Sequence, residues 1–272
     1  MKKQAIIIDG TGLAKALKKQ LAQKIKTSNH RPGLAAVLVG NDPASDLYVR
    51  LKENAALEVG IDFHKYLCNE DCYQDISQAE LLKLIDFFND DKTINGILIQ
   101  LPLPEKYQTQ KIINRVSPAK DVDGFHPKNT TNLIPPTIAA VITLLKATHQ
   151  DLSDLSALVI GASDIFTRKL KKYITQELPI KKIDLKKSIP KNSNTYDIII
   201  IAIGQAKALK KSMVKDNAIV IDVGINKTKQ GKTVGDVDPS VKTKAGFISP
   251  VPGGVGPLTV AHVLENTFKL TK

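Results

Sequence analysis

The sequence predicts an α/β protein built on parallel sheets. Five short apolar runs, 34–39, 95–101, 157–161, 197–203 and 218–223, are rich in β-branched residues and alternate with longer amphipathic stretches. Runs that are apolar at nearly every position suit strands buried on both faces, and the intervening helices supply the cover. With 272 residues, 42% of them apolar, the chain has room for two domains with proper cores.

The N-terminal MKKQAIIIDG holds only a four-residue apolar run before Asp9, too short for the core of a secretion signal. No run approaches the roughly 20 apolar residues of a membrane helix. The chain therefore reads as a cytoplasmic enzyme.

The stretch NDPASDLYVRLKENAALEVGID, 41–62, has a helical period. On a wheel of about 100° per residue, Ala44, Leu51, Ala55 and Val59 fall within about 60° of Tyr48, and Lys52 lies about 40° away, inside the same stripe. Most lysines at the edge of such a stripe snorkel to water. One forced inward loses solvation, and its pKa falls toward the range of a base at neutral pH. Tyr48, four residues earlier, shares the face and can touch the same ligand. Short-chain dehydrogenases also carry Y-x-x-x-K, but after a glycine-rich turn, and no such turn precedes Tyr48.

Cys68 and Cys72 have no matching His or Cys partners and read as ordinary thiols, so no metal is expected. Ser77 to Glu80 form a capping box for a helix that buries Leu81, Leu84, Ile85 and Phe88. GILIQLPLP, 96–104, is a buried strand ending in Gln100, where an amide either orients a ligand or caps the loop. In KDVDGFHP, 120–127, Asp121 and Asp123 would diverge in an extended chain. They are no metal pair, and one is free to meet a ligand donor while the other caps the turn.

Pro135 and Pro136 mark the domain division, followed by a helix over 137–148. ALVIGASDIFTRKLKKY, 157–173, then has the outline of a nucleotide-binding turn with one glycine instead of three. Nine Lys and Arg between Arg168 and Lys191, within a chain of net charge +12, raise the alternative of a nucleic-acid-binding protein. Only Tyr173 interrupts the run and no known module accompanies it, so a solvated lysine face is the better reading. SPVPGGVGPLT, 249–259, offers backbone groups to a flat ligand at close approach, with Pro257 starting the last helix.

Together, VGNDPASDLYVRLK, GILIQLPLP, KDVDGFHP, DVGIN, VGDVD and PVPGGVGPLT resemble, in order and separation, the bifunctional methylenetetrahydrofolate dehydrogenase/methenyltetrahydrofolate cyclohydrolase family. The resemblance implies two domains of three-layer parallel-sheet architecture, the second Rossmann-like, with a cleft between them. It implies a folate-binding catalytic domain of 1–136 plus 250–272, an NAD(P)-binding domain of 137–249, and a homodimer. It assigns catalysis to Lys52, with Tyr48, Gln100 and Asp123, and folate contacts to Tyr48, Leu101, Asp123, Pro252 and Gly256. Tetrahydrofolate derivatives are the implied substrates and NADP the implied cofactor.

The cofactor turn departs from the family pattern G-R-S-x-x-V-G. Ala162 stands for the arginine, which removes a charge-assisted contact of roughly 1.5 to 3 kcal/mol. Thr167 stands for the last glycine, and Asp164 would repel phosphate. Two readings follow. In one, Gly161, Ala162, Ser163, Ser188 and Ile225 hold NADP, or NAD, with help from Arg168 and Lys187. In the other, dehydrogenase activity is weakened or lost and a cyclohydrolase remains. Asp184, of uncertain register on the second strand of the NAD(P)-binding domain, is better read as an exposed strand residue than as a ribose ligand.

Overall fold

The computed structural model describes residues 4–68, 76–128 and 131–271, apart from the side chains of Pro43 and Ala44. Cys72 and the Ala44 side chain, both named above, lie outside the described residues. The chain falls into two units. One comprises the chain up to Ala14 with Thr137–Thr259, the other Lys15–Pro136 with the chain from Val260 on.

The first elements are β1 (Ile6–Ile7) and α1 (Gly10–Lys26). The second unit continues with β2 (Gly33–Val39), α2 (Pro43–Val59), β3 (Asp62–Cys68), α3 (Gln78–Asp90), β4 (Gly96–Ile99) and the short α4 (Thr109–Ile113). Its parallel sheet has the order β3-β2-β4. All seven residues of β2 are buried, and they alternate between two cores. Ala35, Val37 and Val39 meet Leu81, Ile85 and Phe88 of α3; Leu34 and Ala36 meet Ala55, Ala56 and Val59 of α2. A continuous apolar strand is the consequence of helices on both faces. Gly33 starts it because a β-carbon there would stand 2.1 Å from the Thr93 carbonyl oxygen. The Ser77–Glu80 capping box is present, and Leu81, Ile85 and Phe88 are buried as expected, while Leu84 is half-buried.

The expected stripe of α2 is rotated. Leu51 is 46% exposed, whereas Ser45, Val49, Lys52, Ala55, Ala56 and Val59 are buried. Lys52 lies in the middle of the inward face rather than at its edge. Small residues on that face let α2 approach the sheet closely, which moves the contact line away from Leu51.

The other unit contains α5 (Pro136–Lys146), β5 (Ser156–Gly161), α6 (Asp164–Glu177), β6 (Lys182–Lys186), β7 (Ile198–Ala202) and β8 (Ile219–Asp222). A small antiparallel ribbon, β9 (Asn226–Lys227) with β10 (Thr233–Val234), follows, then β11 (Phe247–Ile248) and α7 (Val255–Lys269). The main sheet runs β1-β11-β8-β7-β5-β6, parallel throughout. From β5 the chain proceeds outward to β6, then returns to β7 on the other side. That reversal is a topological switch point, where α/β folds receive ligands at the carboxyl ends of their strands.

The observed units differ from the expected boundaries at both ends. The N-terminal strand pairs with β11, so the chain up to Ala14 goes with the six-stranded unit, as do residues 250–259. Only from Val260 does α7 enter the core around Leu34, through Val260, Val263 and Leu264.

Candidate active site

In the three-stranded unit, α2 delivers Lys52 and β4 delivers Gln100, the residue just past its carboxyl end. Lys52 is 8% exposed, and its Nζ donates to Gln100 Oε1 at 2.7 Å. The glutamine is fixed at its other end too. Its Nε2 donates to the Leu101 carbonyl at 2.7 Å and its backbone N–H to the Val37 carbonyl at 2.9 Å. Both ends of the amide therefore have set partners, and its oxygen faces the lysine. Gln100 thus holds a loop carbonyl with its nitrogen and the lysine with its oxygen.

Burial lowers the Lys52 pKa, and the Asp123 carboxylate opposes the shift. Asp123 is moved the other way. Its carboxyl is pushed up to about 7, chiefly by burial, against the Lys52 ammonium and with a further push from Asp121. Asp123 is half-buried as a residue. Both shifts have burial as their main cause and favour the neutral forms of the two groups.

Asp121 resolves the question of the two carboxylates. It is buried and accepts the N–H groups of Asp123 at 3.2 Å, Gly124 at 3.0 Å and His126 at 2.7 Å. It caps the turn, and Asp123 is the one coupled to Lys52. The His126 ring accepts from the Lys128 N–H at Nδ1, which leaves the proton on Nε2, 3.2 Å from the Asn114 carbonyl oxygen. Tyr48 is half-buried on α2, with its phenol pKa raised by burial, and Leu101 is half-buried against the core of this unit.

In the six-stranded unit, Gly161 is the last residue of β5, and Ser163 caps α6 by accepting the Phe166 N–H at 3.3 Å. Ala162 and Ser163 are exposed there, as is Ser188 just past the end of β6. Ile225, on the loop after β8, is 45% exposed. All stand on the carboxyl edge of the sheet. Asp184 does not. It lies opposite Leu158 within the strands and accepts from the Tyr196 hydroxyl at 2.6 Å and from Lys182 at 2.9 Å.

Two features expected to hinder a phosphate look different in place. Thr167 is buried, and its methyl would lie 2.6 Å from a β-carbon on Gly161. It fills space beneath the turn instead of blocking the turn's outer surface. Asp164 is ion-paired to Lys187 at 2.7 Å, which holds its carboxyl below the usual range and cancels much of its field. Arg168 adds its Nε–H to the Asp164 carbonyl at 3.2 Å. A helix N-terminus, a small exposed turn and two cations fit the phosphates of a dinucleotide. Elsewhere in the basic run, Lys171 caps the Ile183 carbonyl and Lys182 pairs with Asp184, as on an ordinary charged face.

The model of the tetrahydrofolate dehydrogenase/cyclohydrolase catalytic domain matches residues 8–123, and that of the NAD(P)-binding domain of the same family matches residues 135–272. The chain belongs to this family. The bifunctional protein FolD of Streptococcus thermophilus is 39% identical over 279 aligned residues, covering 97% of each chain. Among solved structures, the bifunctional FolD enzyme of Campylobacter jejuni aligns with a TM-score of 0.90 at 39% identity over 98% of both chains. The Trypanosoma brucei dehydrogenase-cyclohydrolase, solved with NADP and an inhibitor, aligns with a TM-score of 0.89 at 28% identity, covering 98% of this chain and 97% of its own. The chain is a bifunctional methylenetetrahydrofolate dehydrogenase/cyclohydrolase with a two-domain α/β fold.

Within this family fold, Pro252 and Gly256 lie in the six-stranded unit, on the loop before α7 and in its first turn. Sequence reasoning missed two other residues of that unit, Asp222 and Asp236, seeing them only as parts of DVGIN and VGDVD. Both are buried carboxylates that bind backbone N–H groups. The legible signal was an aspartate two residues before or one after a glycine, the pattern of side-chain-closed turns. No helix among the described residues is long and apolar enough to cross a membrane, and none of their His, Cys, Asp and Glu groups is arranged to hold a metal ion.

Proposed function

We propose that Lys52 is the proton carrier of the cyclohydrolase step, with Gln100 orienting it and Asp123 binding the substrate's pterin donors. The observation that supports this best is the buried Lys52–Gln100 hydrogen bond, because it spends one amine hydrogen and leaves the lone pair of neutral Nζ for another use. Water adds to the one-carbon carbon of methenyl-tetrahydrofolate and passes its proton to Lys52. The bond from that carbon to N5 then breaks, Lys52 returns the proton to N5, and the hydroxyl proton leaves to solvent, giving 10-formyl-tetrahydrofolate. Tyr48 and Leu101 line the folate, and Pro252 and Gly256 are further contacts on the strength of the family motif. The enzyme acts in the cytoplasm as a homodimer in this reading.

For the preceding oxidation, the nicotinamide of NADP supplies the hydride acceptor. Gly161, Ala162 and Ser163 with the N-terminus of α6 would receive its pyrophosphate, and Ser188 and Ile225 would flank it along the sheet edge. Ala162 favours NAD or a weakened dehydrogenase, since an arginine is missing there. Lys187 argues for NADP. It sits just past the end of the second strand of the nucleotide unit, where dinucleotide folds distinguish a ribose hydroxyl from a 2′-phosphate, and to reach that phosphate it would exchange its ion pair with Asp164 for the new one.

The pH dependence tests the Lys52–Asp123 pairing. Hydrolysis needs neutral Lys52 and ionised Asp123, so kcat/KM should rise with pH, and ionisation of Asp123 at about 7 contributes one limb of the rise. In Asp123→Asn that limb should vanish and the plateau should fall, while the limb of Lys52, which loses the carboxylate that favours its ammonium form, should lie lower than in wild type. A profile unmoved by the substitution contradicts the pairing.

A further inference from the structure

Asp236 is 0% exposed and accepts four hydrogen bonds from neutral donors. Its Oδ2 takes the backbone N–H of Ile203 at 2.7 Å and Gly204 at 3.0 Å; its Oδ1 takes the Gln205 N–H at 2.8 Å and the Asn226 amide at 2.9 Å. A buried carboxylate bound to successive backbone N–H groups is costly to desolvate, and what it gains is one fixed loop conformation.

The clasp is reciprocal. Asp222, also buried, accepts the N–H groups of Gly224, Asp236 and Val237 at 3.0, 3.0 and 2.9 Å, and Ser249 Oγ accepts the Asp222 N–H at 2.8 Å. Each aspartate presses on a glycine of the other's segment. A β-carbon on Gly224 would stand 2.2 Å from Asp236 Cγ, and one on Gly235 would stand 1.8 Å from Asp222 Oδ2. The loops after β8 and β10 are thereby locked together.

The loop they hold, Ile203 to Gln205, leaves the carboxyl end of β7. Its neighbour is the cofactor turn, since Ala202 pairs with Gly161 and its carbonyl accepts the Ala162 N–H at 3.2 Å. The switch point lies between these strands, and a dinucleotide there places one half over β5 and β6 and the other over β7 and β8. With their N–H groups turned to Asp236, the trans peptides turn the Ile203 and Gly204 carbonyls the opposite way. A β-carbon on Gly204 would meet nothing within 4 Å, so this loop borders open space.

We propose that Asp236, braced by Asp222, is a positioning residue for hydride transfer, fixing the Ile203–Gln205 backbone that receives the nicotinamide half of the cofactor. The inference rests on the dehydrogenase reading.

The test uses the full chain with Asp236→Asn. Without cofactor, amide hydrogen exchange at 203–205 should accelerate. Methylene-tetrahydrofolate oxidation should lose at least about tenfold in kcat, because misplacing a reacting group by an ångström has effects of that size or larger. NADP affinity by calorimetry should move less than about threefold, because the pyrophosphate site is separate, and hydrolysis by Lys52 should stay within about twofold. If Asp236→Asn does not fold, Asn226→Ala removes one donor to the same carboxylate and should show the same pattern at smaller amplitude. Unchanged oxidation, or oxidation and hydrolysis falling together, overturns the proposal, as does a loss confined to NADP affinity. A wild-type chain that does not oxidise its substrate with NADP overturns the dehydrogenase reading and this proposal together.

Discussion

Replacing Lys52 by methionine is expected to reduce methenyl-tetrahydrofolate hydrolysis by about a hundred- to ten-thousandfold, the usual contribution of a positioned general acid-base group. Methionine fills most of the space of the lysine stem on the buried face of α2, so the packing of Ala55, Ala56 and Val59 should survive. Gln100 Oε1 loses its donor, a loss of about 1 to 3 kcal/mol, while the expense of burying an amine disappears. Those opposing effects predict a melting temperature close to wild type. Stopped or steady-state assays following loss of the methenyl chromophore give the rate, and circular dichroism gives the fold. Undiminished turnover in a folded variant would remove Lys52 from the mechanism.

The largest expected effect on stability comes from Gly235→Ala. The new methyl would fall 1.8 Å from Asp222 Oδ2, a carboxylate that cannot retreat without releasing the N–H groups of Gly224, Asp236 and Val237. Burial already pushes the Asp222 carboxyl up to about 6, against the hydrogen bonds from Val237 and Asp236, so the group has little favourable energy to spare. Overpacking plus lost hydrogen bonds predicts a loss of about 3 kcal/mol. Thermal unfolding should show this as a drop of roughly 6 to 12 °C. A change under about 1 kcal/mol would mean that the two loops are not locked as described.

The parallel α/β class was legible because β2, β4, β5, β7 and β8 lie inside their sheets or under helices and are apolar along their length. The strands that composition did not reveal, β3 and β6, are edge strands whose residues are mostly exposed or half-buried, unlike the fully buried edge strand β4. Their charged residues, such as Lys65 and Lys182, pair with Glu53 and Asp184 instead of packing. The two-residue β1 and β11 carry too little pattern to be recognised, and so their pairing was not legible.

At the site, the wheel identified Lys52 but not its partner. Gln100 is 48 positions away, and only the placement of α2 over the end of β4 makes them meet. Asp121 and Asp123 looked equivalent until the turn chose one for its own N–H groups. The placement of Thr167 was illegible for a related reason. A side chain's direction in the first turn of a helix depends on where the cap falls, and the cap at Ser163 sends Thr167 inward against Gly161.

Initial rates of methylene-tetrahydrofolate oxidation with NADP and with NAD, in wild type and in Lys187→Ala, show whether the altered cofactor turn still serves hydride transfer. Turnover with both is expected, with a preference for NADP in kcat/KM of at least about tenfold, in line with one charge-assisted contact to the 2′-phosphate. Lys187→Ala should lose most of that preference and, by freeing the Asp164 carboxylate beside the turn, should lower the rate with both cofactors. Preference for NAD in the wild type, or no oxidation with either cofactor, would show that the turn does not serve this reaction with NADP.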